Sequence, residues 1–272
     1  MRIRVYHETS YHFETVARGL LQVLRMTPRN FEGQHAANWR IDVDMDCRLT
    51  SAEDAFGNII HEFSAEGPVT QFKIIVEGEV ETSNMAGVVR GARENFPPEL
   101  FLRSTELTHP NEAITAYLAK TTAKATDQLG RLHAWLAACH EKVSFDPNAN
   151  TLSAQESLDA RSANAASLAH LFIAGCRSLG TPARCISGYL LRSEPVGPQS
   201  LHMWAEAYVD GLGWLGFDPA SGLCPSDRHI RLACALDELG AKPVRASHAL
   251  TREQQQTNLR VVESQAQRQW QS

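Results

Sequence analysis

The chain has 272 residues, with 26 Lys and Arg against 31 Asp and Glu, a formal charge of −5. A content of 43% hydrophobic and 21% charged residues is that of a folded chain with length for one large or two moderate cores, and it excludes a disordered polymer. The mild acidity, without a long Lys/Arg stripe, argues against nucleic acid as a partner, and no run of about 18 apolar residues points to a membrane.

The start, Met1 to Glu8, turns charged too early for a signal peptide. The six cysteines, at 47, 139, 176, 185, 224 and 234, form no CxxC pair. The expectation is a cytoplasmic protein with free thiols, no metal site and no cofactor. Oligomeric state is not legible in the sequence.

Taken in chain order, residues 1–85 read as an N-terminal antiparallel β domain. Ile3 and Val5 alternate with Arg2 and Arg4, and Ile41, Val43 and Met45 alternate with Asp42, Asp44 and Asp46, a period of two that suits half-buried strands. Phe72, Ile74, Val76 and Val80 repeat it, with Gly78 a candidate bulge. Asp54-Ala-Phe-Gly-Asn58 is a turn between two such runs. Residues 86–110, with Gly87, Gly91, Pro97 and Pro98, read as a connecting segment.

From 111 to 245 the spacing turns helical and then returns to strands. Leu129, Leu132, Trp135, Leu136 and Cys139 share one face of a helix over 127–140. A second helix is predicted over 163–179, with Leu168, Leu171, Phe172 and Cys176 as its stripe. Gly180 stands at its left-handed cap and Pro182 prevents continuation. Strands follow at 183–192, 202–209 and 214–218, the last two joined by a turn at Asp210-Gly211. The order makes the fold class α+β. Residues 246–272 form a polar tail, and its last 22 residues, Gln-rich, read as a frayed or loosely docked helix.

The chemically suggestive pattern is a helix N-terminus at Ala165, a His opening a strand 37 residues later, His202, and an Asp closing the next strand a further 16 on, Asp218. A Cys at such a helix start has its thiolate stabilised by the dipole and by free N–H groups. A hairpin can set His and Asp side by side, the Asp fixing the imidazole tautomer and the His activating the thiol. Position 165, however, holds Ala.

The blocks around these residues carry a resemblance. The chain reads Ala163-Asn-Ala-Ala-Ser-Leu-Ala-His-Leu171, Ala174-Gly-Cys-Arg-Ser-Leu-Gly-Thr-Pro-Ala-Arg184, Ser187-Gly-Tyr189, His202-Met-Trp-Ala-Glu-Ala-Tyr208, Gly211-Leu-Gly-Trp214, Phe217-Asp-Pro219 and His229-Ile-Arg231. In order and content these blocks resemble the bacterial transglutaminase-like superfamily, whose motif runs roughly Gly-Val-Cys-Gln-Asp-Phe-Ala-His-Leu at the nucleophile. Residues 1–85, with Asp54 to Asn58, resemble the β region that precedes the catalytic domain in one bacterial subgroup.

The resemblance implies a papain-related catalytic domain and cysteine-dependent acyl transfer through a thioester, with a peptide, protein or amide substrate as partner. Hydrolysis is the first expectation and glutamine deamidation or transamidation the second. The implied catalytic residues are His202, Asp218 and the residue at 165. Trp204, Tyr189 and Asn164 are the implied substrate-binding residues. Two readings of Ala165 stay open: an Ala standing where the natural residue is Cys, or a pseudoenzyme that keeps the cleft as a peptide-binding module. The departures at Ala163, Asn164, Ala166 and Ser167 support the second, and retention of His202 and Asp218 supports the first. Cys176 is a rival thiol, read as packed. Cys185, Cys224 and Cys234 are read as structural, His170 as a packing His and Glu206 as a satisfied buried carboxylate.

Overall fold

The computed structural model describes residues 1–192, 201–248 and 253–264. The chain begins with β1 (Arg2–Leu24), β2 (Gln34–Val43), β3 (Thr50–Glu53) and β4 (Ile59–Thr82). β4 lies between β1 and β2 and also pairs β3 through the Asp54–Asn58 turn, all antiparallel. In β1, residues 3, 5, 7 and 9 are buried, the period of two expected where one face packs on a core.

Gly78 is not a bulge. It pairs in register with both Val5 and Trp39, and the irregularity falls opposite, between Ala36 and Asn38. A Cβ at 78 would stand 2.6 Å from the Trp39 ring, so glycine is required there by close approach.

The segment after β4 supplies β5 (Val88–Val89), then come α1 (Glu112–Thr122), α2 (Gln128–Lys142), β6 (Ser144–Phe145), α3 (Ala154–Ala160), β7 (Ser162–Ala163) and α4 (Ala165–Ser178). The second sheet follows with β8 (Ala183–Leu190), β9 (His202–Val209), β10 (Gly213–Phe217) and β11 (His229–Ala235). Then come α5 (Glu238–Ala241), β12 (Val244–His248) and β13 (Glu253–Glu263). The second sheet runs β11-β8-β9-β10-β5, antiparallel throughout. The segment expected only to connect thus adds an edge strand.

The expected helix in the tail is instead a strand. β13 pairs β1 from Ile3–Glu263 to Phe13–Glu253, and β12 pairs the other half of β1. Its apolar residues at 259 and 261 alternate inward, a weak signal amid Gln and Arg that only β1 makes sense of. Residues 265–272 lie outside the described set.

α4 is buried on every side, Ala165 through Arg177. α1, α2 and α3 cover one side, and β8 and β9 the other. This explains why it is built of Ala, Gly, Ser and Leu: the Cβ that Gly175 lacks would lie 2.2 Å from Trp135 Nε1, and that indole instead donates to the Phe172 carbonyl. A further apolar cluster, including Ile3, Val5 and Val80 from the first sheet and Tyr189, Ile230 and Leu232 from the second, joins the two halves.

Candidate active site

α4 begins where Asn164 caps it. The Asn164 Oδ1 accepts from the Ser167 N–H at 2.9 Å and from the Ser167 hydroxyl at 2.8 Å. Its Nδ2 donates to the Ala149 carbonyl and the Thr151 hydroxyl. The departures from the family motif at 164 and 167 therefore form a local brace, with Ser167 Oγ also accepting the Leu152 N–H. Ala165 is the first helical residue, at the positive end of the helix dipole. Asn164 lines the wall, but its Oδ1 is spent on the cap and its Nδ2 on Ala149 and Thr151.

His202 opens β9 and Asp218 follows directly on β10, its neighbour in the sheet. The His202 Nε2–H donates to Asp218 Oδ2 at 2.9 Å. That fixes the tautomer and leaves Nδ1 as the basic nitrogen. Asp218 Oδ2 also accepts from the Ser221 hydroxyl at 2.9 Å, and Oδ1 from the Ala220 N–H at 3.1 Å. Burial alone opposes ionisation of this carboxyl, yet His202 and His229 hold it well below the usual carboxylate range.

Two cavities flank His202. One, about 160 Å³, is lined by Asn164, Ala165, Ala166, His202 and Met203 among others. The other, about 450 Å³, is lined by His202, Asp218, Leu190, Leu191, Arg192 and Arg228 among others, and Phe145 walls both. The structure thus brings residue 165, His202 and Asp218 to one place.

Two implied substrate contacts are buried. Tyr189 is fully buried and its hydroxyl bonds His7 Nδ1 at 3.0 Å, across the junction of the two sheets. Its ring packs there with Val80, Ile230 and Leu232 and lines neither of the two cavities beside His202. Trp204 is also buried. It lies beside the imidazoles, stacked near His202 at 6.2 Å between ring centroids and edge-on to His229 at 5.4 Å. Of residues 192–200, which follow β8, only Arg192 is among the described residues.

His229 is the residue the sequence left without a role. The Ser226 N–H donates to its Nδ1 at 3.2 Å, so Nε2 carries the proton and donates to Asp218 Oδ2 at 3.4 Å. His202, Asp218 and His229 place possible ligand atoms within 4.8 Å of one another. The Ser226 amide selects the tautomer whose Nε2 is a donor, which suits a carboxylate and opposes a metal, since a metal-bound imidazole needs an acceptor at its other nitrogen. Only the His229-Ile-Arg231 block hinted at it.

The remaining thiols sort by burial. Cys139, Cys176 and Cys185 are fully buried, and desolvation pushes each thiol up. Cys224, read from the sequence as structural, lines the larger cavity, although burial raises its thiol too. His170 donates from Nδ1 to the Leu152 carbonyl and accepts the Glu238 N–H. Glu206 is buried between Arg184 and Arg231, at 2.7 and 2.8 Å. Burial would raise its carboxyl, but the two guanidinium groups prevail and lower it.

Comparison with known proteins agrees with this fold. Residues 115–219 match the family model described as transglutaminase-like superfamily, and residues 3–81 match the bacterial transglutaminase-like N-terminal region. An uncharacterized protein of Mycobacterium leprae is 24% identical over 265 residues, covering 91% of this chain and 93% of its own. An uncharacterized protein of Mycobacterium tuberculosis is 24% identical over 276 residues, covering 90% and 86%. A crystal structure of a candidate cysteine protease from Cytophaga hutchinsonii superposes with a TM-score of 0.79 at 18% identity, covering 98% of this chain and 91% of that one. The α+β core thus matches the transglutaminase-like superfamily, and the strands before it match the bacterial transglutaminase-like N-terminal region.

Proposed function

We propose that the cleft is a thiol-type acyl-transfer site for a peptide or amide, and that this chain, with Ala at 165, binds such a substrate without cleaving it. One observation carries the reading: His202 Nε2 is held by Asp218 at 2.9 Å, which leaves Nδ1 available beside the cavity that residue 165 also lines. A Cys at 165 would lose its proton to Nδ1 and attack the substrate carbonyl. The imidazolium would then protonate the departing amine, and water would resolve the thioester. The first-turn N–H groups of Ala165 and Ala166 are free of intrahelical acceptors, so the developing oxyanion has donors nearby. Hydrolysis is preferred over transamidation because water needs no second substrate site.

A second reading, a binding module with Ala native at 165, is favoured by the Asn164–Ser167 brace, which satisfies the residues that depart from the motif.

The test is Ala165→Cys treated with iodoacetamide at about pH 6. Fast alkylation at 165, abolished by His202→Ala, supports the acyl-transfer site. Alkylation as slow as that of free cysteine, and insensitive to His202, overturns it.

A further inference from the structure

Beyond His202, the larger cavity of about 450 Å³ has a mostly apolar wall that includes Phe145, Leu190, Leu191 and Leu223, and it carries two guanidinium groups, Arg192 and Arg228. Both arginines are half-buried. Arg228 is anchored, its Nε donating to the Leu191 carbonyl at 2.7 Å. Arg192 lies with its guanidinium carbon 5.5 Å from the centroid of the Phe145 ring. Neither meets a carboxylate among the described residues. Arg25, Arg29, Arg184 and Arg231 each face an Asp or Glu, and buried Arg177 is instead satisfied by three carbonyls and the Thr108 hydroxyl. The carboxylate in this cavity's described wall, Asp218, already accepts from two imidazoles, a hydroxyl and an amide.

A half-buried guanidinium has lost part of its hydration and keeps planar donors that match a carboxylate two at a time. Two of them on the rim of one apolar cavity form a site for an anion, in a protein whose formal charge is −5. We infer that this cavity binds a carboxylate of the substrate, recognised by Arg192 and Arg228.

The side of the substrate follows from the site chemistry, and this step rests on the acyl-transfer reading. Residue 165 lies on the other side of His202, in the smaller cavity. A carbonyl placed over residue 165 sets its amine next to the imidazole that protonates it. The chain continuing past that imidazole enters the larger cavity. The carboxylate therefore belongs to the amine-side fragment, either as a free C-terminus one residue after the reacting amide or as an acidic side chain there.

Binding to the Ala165 chain tests this by calorimetry with four probes: N-acetyl-Ala-Ala with a free carboxylate, its carboxamide, N-acetyl-Ala-Glu-amide and N-acetyl-Ala-Gln-amide. A charged probe is expected to bind about tenfold or more tighter than its neutral partner, a preference that weakens with salt. The pair that shows it distinguishes C-terminus from side chain. In the double variant Arg192→Gln, Arg228→Gln the preference falls to less than about threefold, and Lys at both positions restores part of it. Equal binding of charged and neutral probes, no binding of any, or a preference untouched by the double variant overturns the inference. Alkylation of Ala165→Cys reads the acyl-transfer site independently. Fast alkylation without charge preference removes the subsite alone, and charge preference without an activated thiol removes the chemistry alone.

Discussion

Ala165 offers no nucleophile, yet His202 and Asp218 stand beside it, so the proposed site can be dissected one residue at a time once a Cys is introduced. Asp218 fixes the His202 tautomer through Oδ2. In the Ala165→Cys background, Asp218→Asn is expected to slow alkylation at about pH 6 by tenfold or more, because the imidazolium loses its counter-charge. His229 contributes the longer of the two imidazole bonds to the same oxygen, 3.4 Å. His229→Ala leaves three donors on Asp218, and the expected loss is smaller, less than about tenfold. A loss at His229 equal to that at Asp218 would mean that His229 acts on the thiol by a route other than the carboxylate.

At the scale of elements, α4 decides whether the site exists, since it carries residue 165 through a helix with no exposed face. Gly175→Ala would press a methyl against Trp135, 2.2 Å from Nε1. The expected cost is about 1–3 kcal/mol, measured as a lower urea midpoint at unchanged slope. Asn164→Ala removes the cap and the tie to Ala149 and Thr151, with an expected loss of about 1–2 kcal/mol. In β9, Glu206 neutralises two buried arginines. Glu206→Gln leaves Arg231 without a carboxylate and Arg184 with Glu94 alone, for an expected cost of about 3–5 kcal/mol.

Across the whole molecule the two sheets meet at His7 and Tyr189, on β1 and β8. Burial lowers the His7 pKa to about 4 from an ordinary value of 6.5. Above pH 6.5 the imidazole is neutral whether folded or unfolded, and it costs nothing. As pH falls from 6.5 towards 4 the unfolded chain takes up a proton that the folded one refuses, so stability drops, by roughly 3 kcal/mol at most. Below about 4 the loss levels off. His7→Gln should flatten the fall in melting temperature between pH 7 and 4.5. An unchanged slope would place the acid sensitivity in another group.

The local patterns of the chain determined its strands and helices. Alternation marked β1 and β9, an apolar stripe with Gly180 and Pro182 bounded α4, and Asp54–Asn58 fixed a turn, because each is written over a few neighbouring residues by pleat, helical period or allowed φ. The order of motif blocks also pointed to Ala165, His202 and Asp218 as one constellation. Only the tertiary structure decided which side chains face the cleft. Tyr189 turned inward to His7, Asn164 spent its amide on a helix cap, and His229 and Arg228, on β11 and just before it, came up beside Asp218 and the larger cavity. It also made the Gln-rich tail a strand, since a segment of weak propensity takes the conformation of its partner, and that partner, β1, lies about 250 residues away in the chain. Contacts across such separations depend on how layers stack, which no local pattern encodes.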